Sequence, residues 1–142
     1  MSATADHAEG ERQLAGRLGL RQGQVVQELG YDDDCDLELR GSIEALVGSE
    51  LVDDEYEDVV DVVLLWWRDD DGDLVDALVD ALVSLGDGGV VWVLTPKAGR
   101  PGHVEPSDIA DAAPTAGLHQ TSSISAAGDW SGTRLASRRS GR

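Results

Sequence analysis

Apolar residues in this chain fall into blocks that are separated by stretches rich in glycine and aspartate. Residues 59–67 are almost continuously apolar, which is typical of a strand that is covered on both faces, and they form the predicted central strand. Residues 90–94 form a shorter apolar block, and residues 24–29 mix apolar and polar positions; each segment predicts a further strand. The pattern therefore indicates a sheet whose middle strands are shielded from water by helices.

Helical spacing of apolar residues occurs between these blocks. Residues 73–85 repeat apolar side chains every three or four positions and place their aspartates on the opposite face, which predicts an amphipathic helix. Similar spacing predicts helices over residues 11–20, 37–47 and 106–113. Helix ends are predicted where glycine or proline follows, at Gly48, residues 86–89 and Pro114.

The remaining strand signals are shorter. Residues 50–53 predict a short edge strand, and residues 121–126 and 133–137 predict two strands near the end of the sequence. The segment between the last two, residues 128–132, has the length of a hairpin loop and not of a crossover connection. We therefore expect the last two strands to be antiparallel.

Length and cysteine content limit the organisation of the protein. The chain has 142 residues, enough for one core of its own. We expect a flexible leader at residues 1–10, a single domain at residues 11–137 and a basic flexible tail at residues 138–142. The single cysteine, Cys35, excludes an internal disulfide, and the lack of a signal-like leader or long apolar run predicts a cytoplasmic location.

Charge is distributed unevenly along the chain. Residues 1–94 carry 5 arginines against 24 acidic residues, a net charge of −19, whereas residues 95–142 carry 6 basic and 4 acidic groups. Because nucleic-acid binding needs cations that replace phosphate counterions, the acidic part should bind neither DNA nor RNA directly. A role in solubility is the favoured interpretation of this charge, and an acidic decoy for a nucleic-acid-binding protein is a further hypothesis.

Four short motifs, each present once, follow one another along most of the chain. They are LAGRLGL at residues 14–20, DVVL at 61–64, GVVWV through Pro96-Lys97 at 89–97, and DWSGTRL at 129–135. Their order and spacing resemble the largely bacterial domain-of-unknown-function family 3052. The order of elements also looks like a reduced methyltransferase-type fold. The resemblance implies an α/β protein with a three-layer Rossmann-like sheet, mostly parallel, that ends in an antiparallel hairpin. It implies no established reaction.

The turn after the first strand is unlike a cofactor cradle. Rossmann-like folds use a glycine-rich turn there, so that backbone approaches the cofactor closely. In this chain Gly30 is followed by Tyr31 and three aspartates, which would repel phosphate. NAD, FAD and ATP are therefore disfavoured, and no cofactor is expected. S-adenosylmethionine, which is cationic, remains the alternative.

A basic loop follows the strand predicted at residues 90–94. It contains the only lysine of the chain, Lys97, together with Thr95, Arg100 and His103. In open parallel sheets, ligands bind beyond the carboxyl ends of the strands, so these four residues are the predicted ligand-binding set for a small anion or an acidic protein segment. Neutralisation of nearby carboxylates or of helix ends is an equally good explanation for Lys97.

Trp66 and Trp67 lie at the end of the predicted central strand and face opposite sides of it. Either ring is a candidate for stacking on a flat ligand, although core packing is the favoured role.

No catalytic or metal-binding constellation is present in the sequence. As a calcium loop, residues 69–73 would place Trp67 and Leu78 in ligand positions, so helix capping is favoured. Neither zinc-ligand spacing nor a G-x-S-x-G nucleophile motif occurs, and the histidines stand far apart, at His7, His103 and His119. The sequence thus favours a non-catalytic binding or regulatory protein. A reduced S-adenosylmethionine-dependent methyltransferase-like enzyme or sensor is the alternative.

Overall fold

A computed structural model describes residues 15–137 of the chain. The predicted leader with His7, the predicted tail at residues 138–142 and the first part of the helix predicted at 11–20 lie outside the described residues. The elements are β1 (Val26–Leu29), α1 (Leu37–Val47), β2 (Val60–Trp66), α2 (Leu74–Ala81), β3 (Leu85–Pro96), α3 (Pro106–Thr115), β4 (Leu118–Ser125) and β5 (Trp130–Ser137).

The strands form one five-stranded sheet in the order β1-β2-β3-β5-β4. β1, β2 and β3 are parallel, whereas β5 is antiparallel to both β3 and β4. The protein is therefore α/β with a mixed sheet, which confirms the predicted class. The edge strand predicted at residues 50–53 is reduced to a single parallel bridge between Val52 and Gln27 of β1.

Side chains of β2 pack on both faces of the sheet. From residue 62 onward, its even-numbered residues join a hydrophobic cluster with α1, and its odd-numbered residues join a second cluster with α2 and α3. The continuous apolar sequence of β2 follows from this double coverage, because neither face of the strand meets water.

The aspartates that precede the helices act as caps, as the sequence predicts. Asp36 Oδ1 accepts a hydrogen bond from the backbone N–H of Leu39 at 2.8 Å, and Asp73 Oδ1 accepts one from Val75 at 2.9 Å. α1 ends at Gly48, whose φ of 89° is the left-handed conformation that glycine adopts at low cost. These acidic residues therefore satisfy free helical N–H groups.

The third strand is longer than the sequence pattern predicts. Residues 86–89 belong to β3 and not to a turn, and α2 accordingly ends at Ala81 instead of residue 85. The pairing of Leu85 with Val60 starts the strand early. A Cβ at Gly89 would lie 2.8 Å from the backbone oxygen of Asp61, so glycine serves close strand packing at this position.

The last elements also extend beyond their predicted bounds. β5 begins at Trp130, within the predicted loop, because Trp130 still pairs with Pro96 of β3. α3 continues one residue beyond Pro114, to Thr115. None of the helices described within residues 15–137 is long and apolar enough to cross a membrane.

Substitution of Gly89 by alanine tests this packing. We expect Gly89→Ala to lower the free energy of unfolding by about 1–3 kcal/mol, because the added methyl group overpacks the contact with Asp61 and Leu85. Gly128→Ala is the matched control, since nothing lies within 4 Å of its added Cβ. Urea denaturation measures both, and equal stabilities of the two variants would contradict the close packing at Gly89.

Candidate functional site

The connections of β1 define a crevice at the carboxyl end of the sheet. After β1 the chain passes through α1 to Val52 on one side of the strand, and then returns to β2 on the other side. Such a reversal is the topological switch point at which open α/β sheets bind ligands. A cleft of about 1010 Å³ runs along this edge, and its lining includes Glu28, Gly30, Arg40 and Arg68. We call it the switch-point crevice.

The turn after β1 lies directly against the end of β2. Gly30 has a φ of 81°, and a Cβ at this position would clash with the carbonyl oxygen of Trp66. The glycine therefore permits a close approach between two segments of the protein itself.

The guanidinium of Arg68 fills the space beside this turn. Only 9% of the residue is exposed. Its Nη1 donates to the carbonyl oxygen of Gly30 at 2.8 Å and to that of Trp66 at 3.3 Å. Its Nε donates to Asp34 Oδ2 at 3.0 Å, while Nη2 donates to Asp34 Oδ1, so the ion pair is bidentate. Arg68 thus joins the turn after β1, the end of β2 and the loop before α1.

Further contacts hold the same guanidinium. Nη1 lies 3.3 Å from Asp71 Oδ2, Nη2 lies 3.4 Å from Cys35 Sγ, and Cζ lies 5.4 Å from the centre of the Trp130 ring. Hydrogen bonds from Arg68 hold the pKa of Asp34 below its ordinary value, and the same bonds raise the pKa of Arg68. Burial raises the pKa of the Cys35 thiol. The ion pair therefore stays charged at neutral pH, with a protonated thiol beside it.

A second ion pair borders the crevice. Glu28 accepts hydrogen bonds from Arg40 Nε at 2.6 Å and Nη2 at 2.8 Å, and its carboxylate is only 8% exposed. It also accepts the indole N–H of Trp66 at 2.9 Å. The hydrogen bonds with Glu28 raise the pKa of Arg40, which covers the ring of Tyr31 at 4.5 Å. The arginines that line the crevice, Arg40 and Arg68, are therefore both paired with carboxylates of the protein itself.

The two tryptophans predicted for ring stacking lie on opposite faces of the sheet. Trp66 is 0% exposed, and its ring meets that of Trp130 edge to face with centres 4.8 Å apart. Trp67 belongs to the opposite hydrophobic cluster and is 8% exposed. Both also line the switch-point crevice. Stacking on a ligand stays a prediction for either ring.

The basic loop lies at the carboxyl end of β3. Lys97 Nζ donates to Ser125 Oγ at 2.6 Å, and Arg100 Nη1 lies 3.1 Å from Asp129 Oδ1. His103 Nδ1 lies 2.9 Å from the carbonyl oxygen of Pro96, which requires the proton to be on Nδ1, and Nε2 lies 3.4 Å from Glu105. The cations of this loop are therefore held in place by local partners.

Hydroxyl side chains surround a separate cavity beside this loop. The register places Thr95 opposite Ser131, and Ser131 opposite Ser125, in one row across β3, β5 and β4. Ser123 and Thr133 are directly paired in the next row of the same face. The cavity has a volume of about 310 Å³ and is also lined by His103, Val104 and the start of α3. We call it the hydroxyl cavity.

The structure brings three of the four predicted ligand-binding residues to this cavity. Thr95 and His103 line it directly, and Lys97 reaches it through its hydrogen bond with Ser125. Arg100 is 51% exposed and pairs with Asp129 outside the lining. Within residues 15–137, no cluster of three or more His, Cys, Asp and Glu side chains is placed to hold a metal ion.

The family model for a protein of unknown function, DUF3052, matches residues 15–139. This chain belongs to the DUF3052 family. The DUF3052 chain is 54% identical over 131 residues to uncharacterised proteins of Mycobacterium tuberculosis and Mycobacterium bovis, an alignment that covers 92% of this chain and 80% of each relative. The resemblance to this family, which the sequence motifs indicated, is thus confirmed.

Solved structures with a similar fold include methyltransferases. The CcbJ methyltransferase from Streptomyces caelestis has a TM-score of 0.58 at 11% identity, over 93% of the DUF3052 chain and 90% of its own. A SAM-dependent methyltransferase from Aquifex aeolicus has a TM-score of 0.60 at 12% identity, over 88% of both chains. At such low identity the likeness shows the fold alone, a methyltransferase-like Rossmann fold.

Sequence reasoning missed Arg68, Asp34 and the serines of the hydroxyl cavity as site residues. Arg68 and Asp34 are 34 positions apart in the DUF3052 chain, and no motif links them. One signal was available for Arg68, since an arginine that directly follows a continuously apolar strand must find partners near the end of the sheet. The serines carry no such signal, because only the strand register brings them together.

Substitution of Glu28 tests the pairing at the crevice edge. We expect Glu28→Gln to lower the free energy of unfolding by about 1–3 kcal/mol, since an amide cannot accept all three hydrogen bonds and leaves Arg40 without its counter-charge. The exposed Glu50→Gln is the matched control, with an expected change within about 0.5 kcal/mol. Equal stabilities in urea denaturation would show that the Glu28 network does not hold this edge.

Proposed function

We propose that this DUF3052 protein is a non-catalytic binding or regulatory protein, built on a three-layer Rossmann-like frame, that binds a small anion in the hydroxyl cavity. The observation that carries the proposal is the lining of one cavity by five hydroxyl side chains, with Lys97 bonded to one of them. The members are Thr95, Ser123, Ser125, Ser131 and Thr133.

The chemistry of this lining suits an anion. Hydroxyl groups donate hydrogen bonds to oxyanions, and Lys97 supplies a positive charge at the rim. Thr95 and Thr133 are 3% and 7% exposed, and both line the cavity. Hydroxyl groups that line a cavity can donate their protons to a ligand that carries acceptor oxygens.

The size of the cavity favours a small molecule over a protein segment. A volume of about 310 Å³ is at the lower end of the range for small-molecule sites, roughly 300–1,000 Å³. Arg100 lies outside the lining and pairs with Asp129, which supports a role in fixing the loop above the cavity. His103, whose Nδ1 contacts the carbonyl oxygen of Pro96, forms part of the cavity wall.

Titration with simple anions tests this proposal. We expect sodium phosphate, sulfate or succinate at constant ionic strength to shift the backbone amide signals of Thr95, Ser125 and Thr133 in NMR spectra, with saturation in the millimolar range. Lys97→Ala should weaken the binding by about tenfold, because a charge-assisted contact is lost. Arg134→Ala, which removes the same charge from outside the cavity lining, should change it less than twofold.

Two results would contradict the proposal. Signals that do not saturate with any of the three anions would show that the cavity is not an anion site, and equal affinities of the wild type and Lys97→Ala would remove the role of the lysine. Calorimetry with S-adenosylmethionine and S-adenosylhomocysteine tests the alternative hypothesis of a methyltransferase-like protein. We expect no binding of either compound. Micromolar binding of either one would contradict the proposal and favour the methyltransferase-like enzyme or sensor.

A further inference from the structure

Five acceptor groups converge at the switch-point crevice on one guanidinium. They are the carboxylates of Asp34 and Asp71, the carbonyl oxygens of Gly30 and Trp66, and the sulfur of Cys35. We name this set the acceptor cage. We propose that Arg68 is an internal ligand of the crevice, and that the acceptor cage is a cation-binding site which accepts an alkylguanidinium once the Arg68 side chain is removed. This inference is independent of the hydroxyl cavity.

The guanidinium side of the ion pair is buried, whereas the Asp34 carboxylate is half exposed. Each nitrogen of the guanidinium donates to the cage: Nε to Asp34, Nη1 to two carbonyl oxygens and Asp71, and Nη2 to Asp34 and Cys35. The fixed fork of an arginine matches such a set, whereas the single ammonium group of a lysine cannot reach all of it. Trp130 closes one side of the cage with its ring.

The negative charge of the cage also requires a positively charged occupant. Asp34 and Asp71 together carry two negative charges, and the carbonyl oxygens and the thiol sulfur add further electron-rich atoms. Removal of the Arg68 side chain leaves these acceptors without a cation, so they would repel phosphate and attract a cationic donor. The crevice therefore selects against anionic cofactors, both with and without the Arg68 side chain.

Backbone contacts hold the cage in shape without help from an external ligand. The indole N–H of Trp130 donates to the carbonyl oxygen of Asp34 at 3.3 Å, and the backbone N–H of Asp32 donates to Cys35 Sγ at 3.3 Å. The backbone N–H of Arg68 donates to Asp71 Oδ2 at 3.0 Å. Since these three bonds do not involve the guanidinium, we expect them to persist when the side chain is shortened.

Chemical complementation of an Arg68→Ala variant tests the inference. Ethylguanidinium restores the atoms that the substitution removes. At about 20 mM it should raise the Tm of Arg68→Ala by at least about 3 °C, because a ligand that binds only the folded state stabilises it. The same concentration should leave the wild type and Arg134→Ala unchanged, and ethylammonium should have less than half the effect on Arg68→Ala. Equal responses of all three proteins to ethylguanidinium would overturn the proposal.

A second measurement decides the matter if Arg68→Ala does not fold. Cys35 is the only cysteine of the chain, so its alkylation by iodoacetamide, followed by mass spectrometry, reports the opening of the cage. Arg68→Lys keeps the charge but loses the fork, and we expect its Cys35 to react at least about tenfold faster than in the wild type. Val93→Ala, in the opposite hydrophobic cluster, controls for lost stability and should react more slowly than Arg68→Lys. A wild-type rate in Arg68→Lys would overturn the proposal.

Discussion

The ion pair between Arg68 and Asp34 is the constraint on which the carboxyl end of this sheet depends. It joins the end of β2 to the loop before α1, and through the carbonyl oxygen of Gly30 it also fixes the turn after β1. A guanidinium that is 9% exposed requires full hydrogen bonding, because an unpaired buried charge costs several kcal/mol. The close contact of Gly30 with Trp66 serves the same closure. The edge of the sheet at which this fold class binds ligands is thus built around a side chain of the protein itself.

The likeness to methyltransferases is a likeness of the fold. The methyltransferases with TM-scores of 0.58 and 0.60 share the arrangement of strands and helices, yet they are only 11% and 12% identical to this DUF3052 chain. A sheet can keep its order while the residues at its carboxyl end take over the space of a ligand, since function depends on the side chains of the site and not on the fold. The hydroxyl cavity lies at the other side of the same end, where it is lined by side chains of β3, β4 and β5.

The sequence predicted those features that local patterns control. The continuous apolar residues of β2 and the aspartate caps of α1 and α2 need only burial and helix-end chemistry, and both are as expected. Residues 86–89 belong to β3 and not to the predicted turn, and Gly89 there allows close packing on Asp61, which is a tertiary effect. Lys97 and Thr95 were predicted as site residues from their position after a buried strand. Arg68 with Asp34, and the serine row, depend on the register of distant segments, which no spacing in the sequence reveals.

The protection of the Arg68 side chain is the most direct test of this account. Hydrogen exchange of the arginine Nε–H groups can be measured by NMR in the wild-type protein, with the side chain of Arg134 on β5 as the internal reference. A guanidinium held in the acceptor cage should exchange its Nε proton at least about 100-fold more slowly than Arg134, because exchange requires the cage to open. Exchange of Arg68 at the rate of Arg134 would contradict the claim that this residue closes the crevice.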